Sequence, residues 1–232
     1  MQKIITTVVI IIVIALASFL YLTRPVNAPT QSVESVAERL PTGTPTTEQK
    51  LYRISQKQSE VQFSIGEILN GSPFTAVGKT SEVAGDILVS KNTVTVGEIV
   101  VNAKTFKTDS TRRDGAIVRF ILKSDQPANE FITFKHTKPI VLALPPVVGK
   151  EVTATVSGDL TISGVTKPVV MNVKMTLLTV KNQISGDESF VITGDTTVKR
   201  SDFGLKIPEL SFLASVDDVV KIHVAVTANR IP

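Results

Sequence analysis

The chain has 232 residues, 42% of them hydrophobic, which is enough to bury one sizeable core. It has no cysteine and two histidines, so disulfides, thiolate metal sites and cysteine nucleophiles are excluded, and little room remains for a zinc or copper centre. The net charge of +4 is scattered, without a dense basic stripe interleaved with aromatics, so the sequence does not indicate a nucleic-acid partner.

Ile4 to Leu22 form an uncharged, apolar run of 19 residues. A helix of that length, at about 1.5 Å per residue, comes close to the ~30 Å thickness of a bilayer core. The run predicts a signal anchor over residues 1–22, a single transmembrane helix that attaches the chain to the cell membrane with the remainder on the extracytoplasmic side, periplasmic or at the cell surface. The alternative is a cleaved signal peptide with a small-residue site at Ala15 to Ala17, which would give a secreted domain.

Residues 23–50 contain four prolines and many Thr, Ser, Gln and Glu residues, with few large apolar side chains. Such a segment buries too little apolar area to offset its ordering entropy, so a flexible tether is predicted. A brief helix through the sequence SVESVAERL is possible. We therefore place the start of the folded domain, residues 51–232, near residue 50.

Beyond residue 50 the apolar residues alternate with polar ones, the pattern of strands with one buried face. Val61, Phe63 and Ile65 begin the series, which continues near Val83 to Val89 and Phe131 to Thr137. It ends with Phe190 to Val198 and with the alternating apolar residues Val220, Ile222, Val224, Val226 and Ala228. One stretch, RRDGAIVRFILK, instead has the i, i+3, i+4 spacing of a short helix at Ile117, Phe120 and Ile121.

The clearest strands flank the sequence SGVTKP. Apolar residues occupy even positions from Val152 to Ile162 and odd positions from Val169 to Leu177. This change of parity predicts an antiparallel hairpin in which Ile162 pairs with Val169 around a four-residue turn, Gly164 to Lys167.

Eight or nine such strands and one short helix predict an all-β domain, either a barrel or a sandwich. The predicted strands reach 11 or 12 residues, longer than the usual 5–6 residues or so of a compact sandwich, and therefore favour a tilted eight-stranded antiparallel barrel. A barrel of that size can hold a small apolar ligand.

Four motifs resemble the YceI-like family in order and spacing: TDSTRRD from Thr108, FITFK from Phe131, GDLTISGVTKPVVMNV from Gly158 and RSDFGL from Arg200. The resemblance covers Tyr52 to about Ile231. It implies an extended, lipocalin-like barrel that binds polyisoprenoid or other amphiphilic lipids without catalysis. Members commonly carry histidines where this chain has Gly66-Glu67 and Ser163, so contacts of those histidines with a ligand would be lost here.

The inward apolar positions are the candidate ligand-binding residues of the barrel lumen. His136 has the same parity as Phe134 and is expected on that side, where it could hydrogen-bond a quinone or phosphate oxygen, or be a structural histidine. His223 falls on the polar face. The candidate lumen residues are Val61, Phe63, Ile65, Phe134, His136, Leu160, Ile162, Met171, Met175 and Ile222.

Arg112 and Arg200 lie in polar stretches beside predicted strands or the helix, and are candidates for holding an anionic head group at the barrel mouth. A structural role, in capping or ion pairing, is the alternative for both.

The sequence contains no G-x-S-x-G, H-E-x-x-H, S-x-x-K or phosphate-loop motif, so a non-enzymatic role is predicted. We expect a membrane-tethered binding protein that holds an isoprenoid, a quinone or another amphiphilic lipid, with no metal and no other cofactor. The alternative is a surface-exposed β-domain for protein interaction, which would have no ligand cavity.

Overall fold

The computed structural model describes residues 2–24, 26, 28–37, 49–181, 186–208 and 213–231. Its three α-helices are α1 (Gln2–Thr23), α2 (Val33–Val36) and α3 (Thr111–Ala116). Within the described ranges, no helix combines the length and the apolar character that crossing a membrane requires. The predicted transmembrane helix and membrane anchor are therefore not supported.

The domain is a single antiparallel sheet that curls strongly on itself. It has 13 strands among the described residues, so the prediction of eight strands is wrong. The strands are β1 (Gln49–Ile54), β2 (Glu60–Leu69), β3 (Ser72–Thr80), β4 (Val83–Ala84), β5 (Asp86–Ser90), β6 (Thr93–Val96), β7 (Ile99–Asn102), β8 (Phe131–His136), β9 (Ile140–Val141), β10 (Glu151–Ile162), β11 (Val165–Lys181), β12 (Gly186–Lys199) and β13 (Leu213–Arg230).

The larger number of strands arises because the first half of the domain changes partners repeatedly. β13 pairs with β2 along its first part and with β1 near its end. β4 pairs with β7, whereas β5 pairs with β1, and Gly85 alone separates β4 from β5. A Cβ at Gly85 would collide with the Ile99 side chain, so the close approach at this change of partner needs glycine.

The β10–β11 hairpin has the predicted faces but a different register. Ile162 pairs with Val165 rather than Val169, and the turn consists of Ser163 and Gly164 alone. Both residues have positive φ, 49° and 76°, which is the type I′ conformation that suits the twist of two strands joined by two residues. The change of parity predicted the buried faces correctly, because it does not depend on the length of the turn.

The predicted short helix is confirmed as α3, which continues into a π-helical turn at Ile117–Ile121. The Ser110 side chain caps α3 by accepting a hydrogen bond from the Arg113 amide. The buried Asp114 carboxylate accepts hydrogen bonds from the Thr108 amide and hydroxyl, each at 2.7 Å. Ile117 and Leu122 then pack with Leu160 and Ile162 in a common apolar cluster.

Part of the predicted tether lies against the sheet. Val33 and Ala37 are buried against Ala84 and Val100, which belong to the face of β4 and β7 opposite the main core. The Thr30 amide donates to Glu130 at 2.8 Å, and the Lys104 ammonium group binds the other oxygen of the same buried carboxylate at 3.0 Å. The tether composition gave no sign of this docking, and the predicted domain boundaries stay predictions.

One end of the curled sheet is filled by side chains. The rings of Tyr52 and Phe190 meet edge to face at 4.7 Å and pack with Leu177 and Ala228. Above them, Glu188 accepts hydrogen bonds from the Tyr52 hydroxyl and from the ammonium group of Lys50.

We predict that Gly164→Ala lowers the free energy of unfolding by about 1 kcal/mol, because the turn holds this residue at positive φ, where a Cβ is unfavourable. Urea denaturation measures the change. Lys167→Ala, an exposed substitution in the same hairpin, is the control and should stay within about 0.5 kcal/mol of the parent. An equal loss in both variants would contradict the assigned turn.

We also predict a loss of stability in acid. Burial by itself raises the pKa of Glu130 and Glu188, but hydrogen bonds from Thr30 and Lys104 to the first and from Lys50 and Tyr52 to the second outweigh it, so both pKa values lie below the ordinary carboxyl value. Each carboxylate therefore stabilises the fold above the unfolded-state pKa, and this contribution disappears as the pH falls through the lower folded-state pKa.

Urea denaturation between about pH 6 and pH 3 should therefore show a falling free energy of unfolding. The fall should be smaller in Glu188→Gln than in the exposed control Asp125→Asn. Identical pH profiles of the two variants would show that Glu188 does not carry the effect.

Candidate functional site

The curled sheet encloses a cavity of about 880 Å³. Its wall is almost wholly apolar, and side chains from β2, from β5 to β8 and from the four long strands β10 to β13 contribute to it. Nine of the ten predicted lumen residues line it: Val61, Phe63, Ile65, Phe134, Leu160, Ile162, Met171, Met175 and Ile222. The period-two pattern thus identified the wall of a hollow, and the role of these residues in ligand binding stays a prediction.

His136 is the exception. It is the last residue of β8, and its half-buried side chain does not line the cavity. Burial lowers the pKa of this histidine, and a hydrogen bond with the Val96 backbone acts in the opposite direction. Strand parity placed His136 on the inward side, but at the end of the strand the ring meets the backbone of β6 and not the lumen.

Glycines on neighbouring strands make room for the aromatic side chains of the wall. A Cβ at Gly78 would collide with the ring of Phe63, and a Cβ at Gly158 would collide with the ring of Phe134. Gly158 is also the one inward position of the strand around GDLTIS that carries no apolar side chain. Because Gly158 has no side chain, the Phe134 ring can lie close to the backbone of β10.

Charged residues that line the cavity are mostly paired. Arg113 binds Glu67 at 2.7 Å and also pairs with Asp109, and its guanidinium group lies 5.2 Å from the centre of the Phe74 ring. Arg112, the neighbouring residue of α3, also lines the cavity but is exposed, and no hydrogen bond or ion pair joins it to another described residue. Of the two predicted head-group residues, Arg112 is therefore available to a ligand.

Arg200 is held by the protein backbone. Its guanidinium group donates to the carbonyl oxygens of Asp217, Leu205 and Val216 at 3.0, 3.1 and 3.4 Å. It thereby ties the 3-10 turn Arg200–Phe203 to the first part of β13. This arrangement matches the structural alternative, although the side chain does line the cavity.

The two positions where the family resemblance implies histidines have other partners here. The Ser163 hydroxyl donates to the carbonyl oxygen of Leu122 at 2.7 Å and so joins the hairpin turn to the end of the π-helical turn. Glu67 holds Arg113, and a Cβ on Gly66 would collide with the Asp217 carboxylate. This chain therefore uses both positions for internal contacts.

Other polar groups belong to structural contacts. Asp218 accepts hydrogen bonds from the Ser201 hydroxyl and amide, which lower the pKa of this carboxyl group. His223 lies on the polar face, as predicted, with its Nδ1 atom 2.7 Å from Asp195. Over the described parts of the chain, no group of three or more His, Asp or Glu side chains is arranged to hold a metal ion.

Comparison with known families gives one match. The family model described as YceI-like domain matches residues 52–228, which is more than half of the chain and includes every described lining residue of the cavity except Phe19 of α1. No curated protein matches the sequence.

Solved structures resemble this chain at low sequence identity. A polyisoprenoid binding domain from Saccharophagus degradans, implicated in plant cell wall breakdown, is 13% identical with a TM-score of 0.59, over 78% of this chain and 98% of that one. BcnA from Burkholderia cenocepacia is 15% identical over 75% and 98%, with a TM-score of 0.47. The YCEI protein of Campylobacter jejuni is 19% identical over 59% and 72%, with a TM-score of 0.46. At these identities the first likeness shows a common fold.

The contrasting contacts of the two arginines give a prediction. Arg200→Gln should lower the free energy of unfolding by about 1–3 kcal/mol, because carbonyl oxygens at the turn lose a charged donor. Arg112→Gln should change it by less than about 0.5 kcal/mol. Urea denaturation of both variants checks this, and equal stability of the two would contradict the structural role of Arg200.

Proposed function

The chain belongs to the YceI-like domain family, and we propose that it is a binding protein that holds an isoprenoid, a quinone or another amphiphilic lipid inside its curled sheet. The observation that carries the proposal is the hollow itself, about 880 Å³ with an almost wholly apolar wall. Volumes of roughly 300–1,000 Å³ are typical of small-molecule sites. The fold of a polyisoprenoid binding domain from another organism supports the same ligand class.

Burial of the lipid chain would supply most of the binding free energy, at about 25 cal/mol per Å² of apolar area removed from water. The wall offers few polar partners, so it would discriminate by chain length and shape more than by hydrogen bonding. Met171 and Met175 add flexible, polarisable side chains that adapt to chains of different branching.

We propose binding without catalysis. Apart from Arg112, the charged residues that line the cavity are engaged with one another or with the backbone, as for Arg113 with Glu67 and for Arg200 with carbonyl oxygens. The alternative role, a β-domain for protein contacts, requires an interior filled by its own side chains. The hollow weighs against that alternative.

Export from the cytoplasm is a further part of the proposal. Its support is the uncharged apolar run from Ile4 to Leu22, of the kind that directs export. Cell fractionation with an antibody against the domain tests it: recovery in an extracytoplasmic or membrane fraction supports the proposal, and recovery in the cytoplasm alone contradicts it.

The binding proposal predicts that Ile192→Trp weakens binding of a long-chain lipid by at least about tenfold, because Ile192 lines the cavity and the larger ring would occupy the space of the ligand. Val191→Trp, the neighbouring residue on the outward face of β12, is the matched control and should bind as the parent does. Isothermal titration calorimetry with a fatty acid or a short polyprenol measures both affinities.

The parent protein should also carry lipid from its expression host, detectable by native mass spectrometry and organic extraction. A parent that carries no lipid and binds no added amphiphile would contradict the proposed function. Equal binding by both tryptophan variants would place the ligand outside the cavity.

A further inference from the structure

The wall of the curled sheet is interrupted between β11 and β12. Backbone pairing of these two strands stops at Asn172 and Asp195, although both strands continue beyond this pair. From there β12 pairs only with β13, and the described contact across the gap is a hydrogen bond from the Thr196 hydroxyl to the Val170 carbonyl oxygen at 2.8 Å. We call this gap between residues 165–171 and 196–199 the side split.

The side split lies between the cavity and an outer groove. Val169, Thr196, Val198 and Ile222 line both spaces, so a single layer of side chains separates them. Between the paired parts of the long strands, a ladder of backbone hydrogen bonds blocks a ligand, whereas side-chain rotation can open a path at the split. The split is therefore the weakest part of the wall formed by β10 to β13.

The residues that line the outer groove carry more positive than negative charge. Lys167, Lys199 and Lys221 are exposed and line the groove, and no hydrogen bond or ion pair joins their ammonium groups to another described residue. Two carboxylates also line it, and one of them, Asp195, is in contact with His223. The lining thus holds three ammonium groups and two carboxylates, Asp195 and Asp202, and Lys199 also acts on the neighbouring Asp218. The excess of ammonium groups in the lining favours an anionic group in the groove.

The charged residues that line the cavity offer less to an anion. Arg113 already pairs with Glu67 and Asp109, and Arg200 donates to backbone carbonyl oxygens. Arg112 is the one arginine among the described lining residues without such a partner. In the cavity, an anionic head would meet one arginine without a partner, Arg112. At the side split it would meet three lysines, Lys167, Lys199 and Lys221.

We propose that the side split is a lateral opening, at which the anionic head of a bound amphiphile lies against Lys167, Lys199 and Lys221 while its apolar tail runs inward between Val169 and Val198. This inference rests on the proposed function and adds the position and charge of the head group. The ligand class is an amphiphile with a carboxylate or phosphate head, and not a neutral lipid alone.

The test compares two ligands that differ only in the head, palmitate and the alcohol of the same chain length, by isothermal titration calorimetry. The variant carries Lys167→Gln, Lys199→Gln and Lys221→Gln together. We expect it to bind palmitate about tenfold more weakly than the parent does, and the alcohol with unchanged affinity. Added salt should weaken palmitate binding by the parent more than by the variant.

Two controls locate the effect. A second triple variant, Lys57→Gln, Lys135→Gln and Lys150→Gln, removes the same charge from exposed residues that line neither space, and should bind palmitate as the parent does. Arg112→Gln tests the competing position of the head and should weaken palmitate binding less than the groove variant does.

Unchanged palmitate binding by the groove variant, or a larger loss in Arg112→Gln, would overturn the lateral opening while leaving lipid binding intact. An equal loss for palmitate and the alcohol would also overturn it, because the lysines would then act on the fold and not on the head. Failure of the parent to bind either ligand would overturn the proposed function itself.

Discussion

Alternation of apolar and polar residues along β10 to β13 is the constraint on which the rest of the molecule depends. Side chains at every second position point into the curled sheet, so four long strands present one continuous apolar face. Where the opposing residues are large, as with Tyr52 and Phe190, that face closes into a filled core. Elsewhere, the same pattern lines a hollow of about 880 Å³.

Two buried or half-buried carboxylates are held by internal partners away from the hollow. Glu188 is satisfied at the filled end by Lys50 and Tyr52, and Glu130 is satisfied beneath the docked segment by Thr30 and Lys104. A buried carboxylate without such partners would be costly, so these contacts belong to the stability of the fold. They leave the cavity with an apolar wall, which is the property that a lipid chain requires.

The sequence predicted which face of each strand is buried, but it did not predict how the strands pair or which distant segments contact each other. The alternation of apolar and polar residues identified Leu160, Met171 and Ile222 as inward residues, because the direction of each side chain depends only on its position along the strand. It missed the register of the hairpin because that depends on the left-handed conformations of Ser163 and Gly164. It missed the partner changes at Gly85 and the docking of Thr30 on Glu130, since both are long-range contacts without a periodic signature. For His136, the alternating pattern predicted the wrong environment, because this residue is the last of β8 and its side chain does not line the cavity.

The central claim is that an apolar chain occupies the hollow, and the methionines test it most directly. Met171 and Met175 both line the cavity, so selective ¹³C-methyl labelling yields two reporters of its interior. On addition of palmitate, NMR should show shifted methyl resonances for Met171 and Met175 with nuclear Overhauser contacts to the lipid chain. Saturable binding that leaves both cavity methyl groups unshifted would contradict the account.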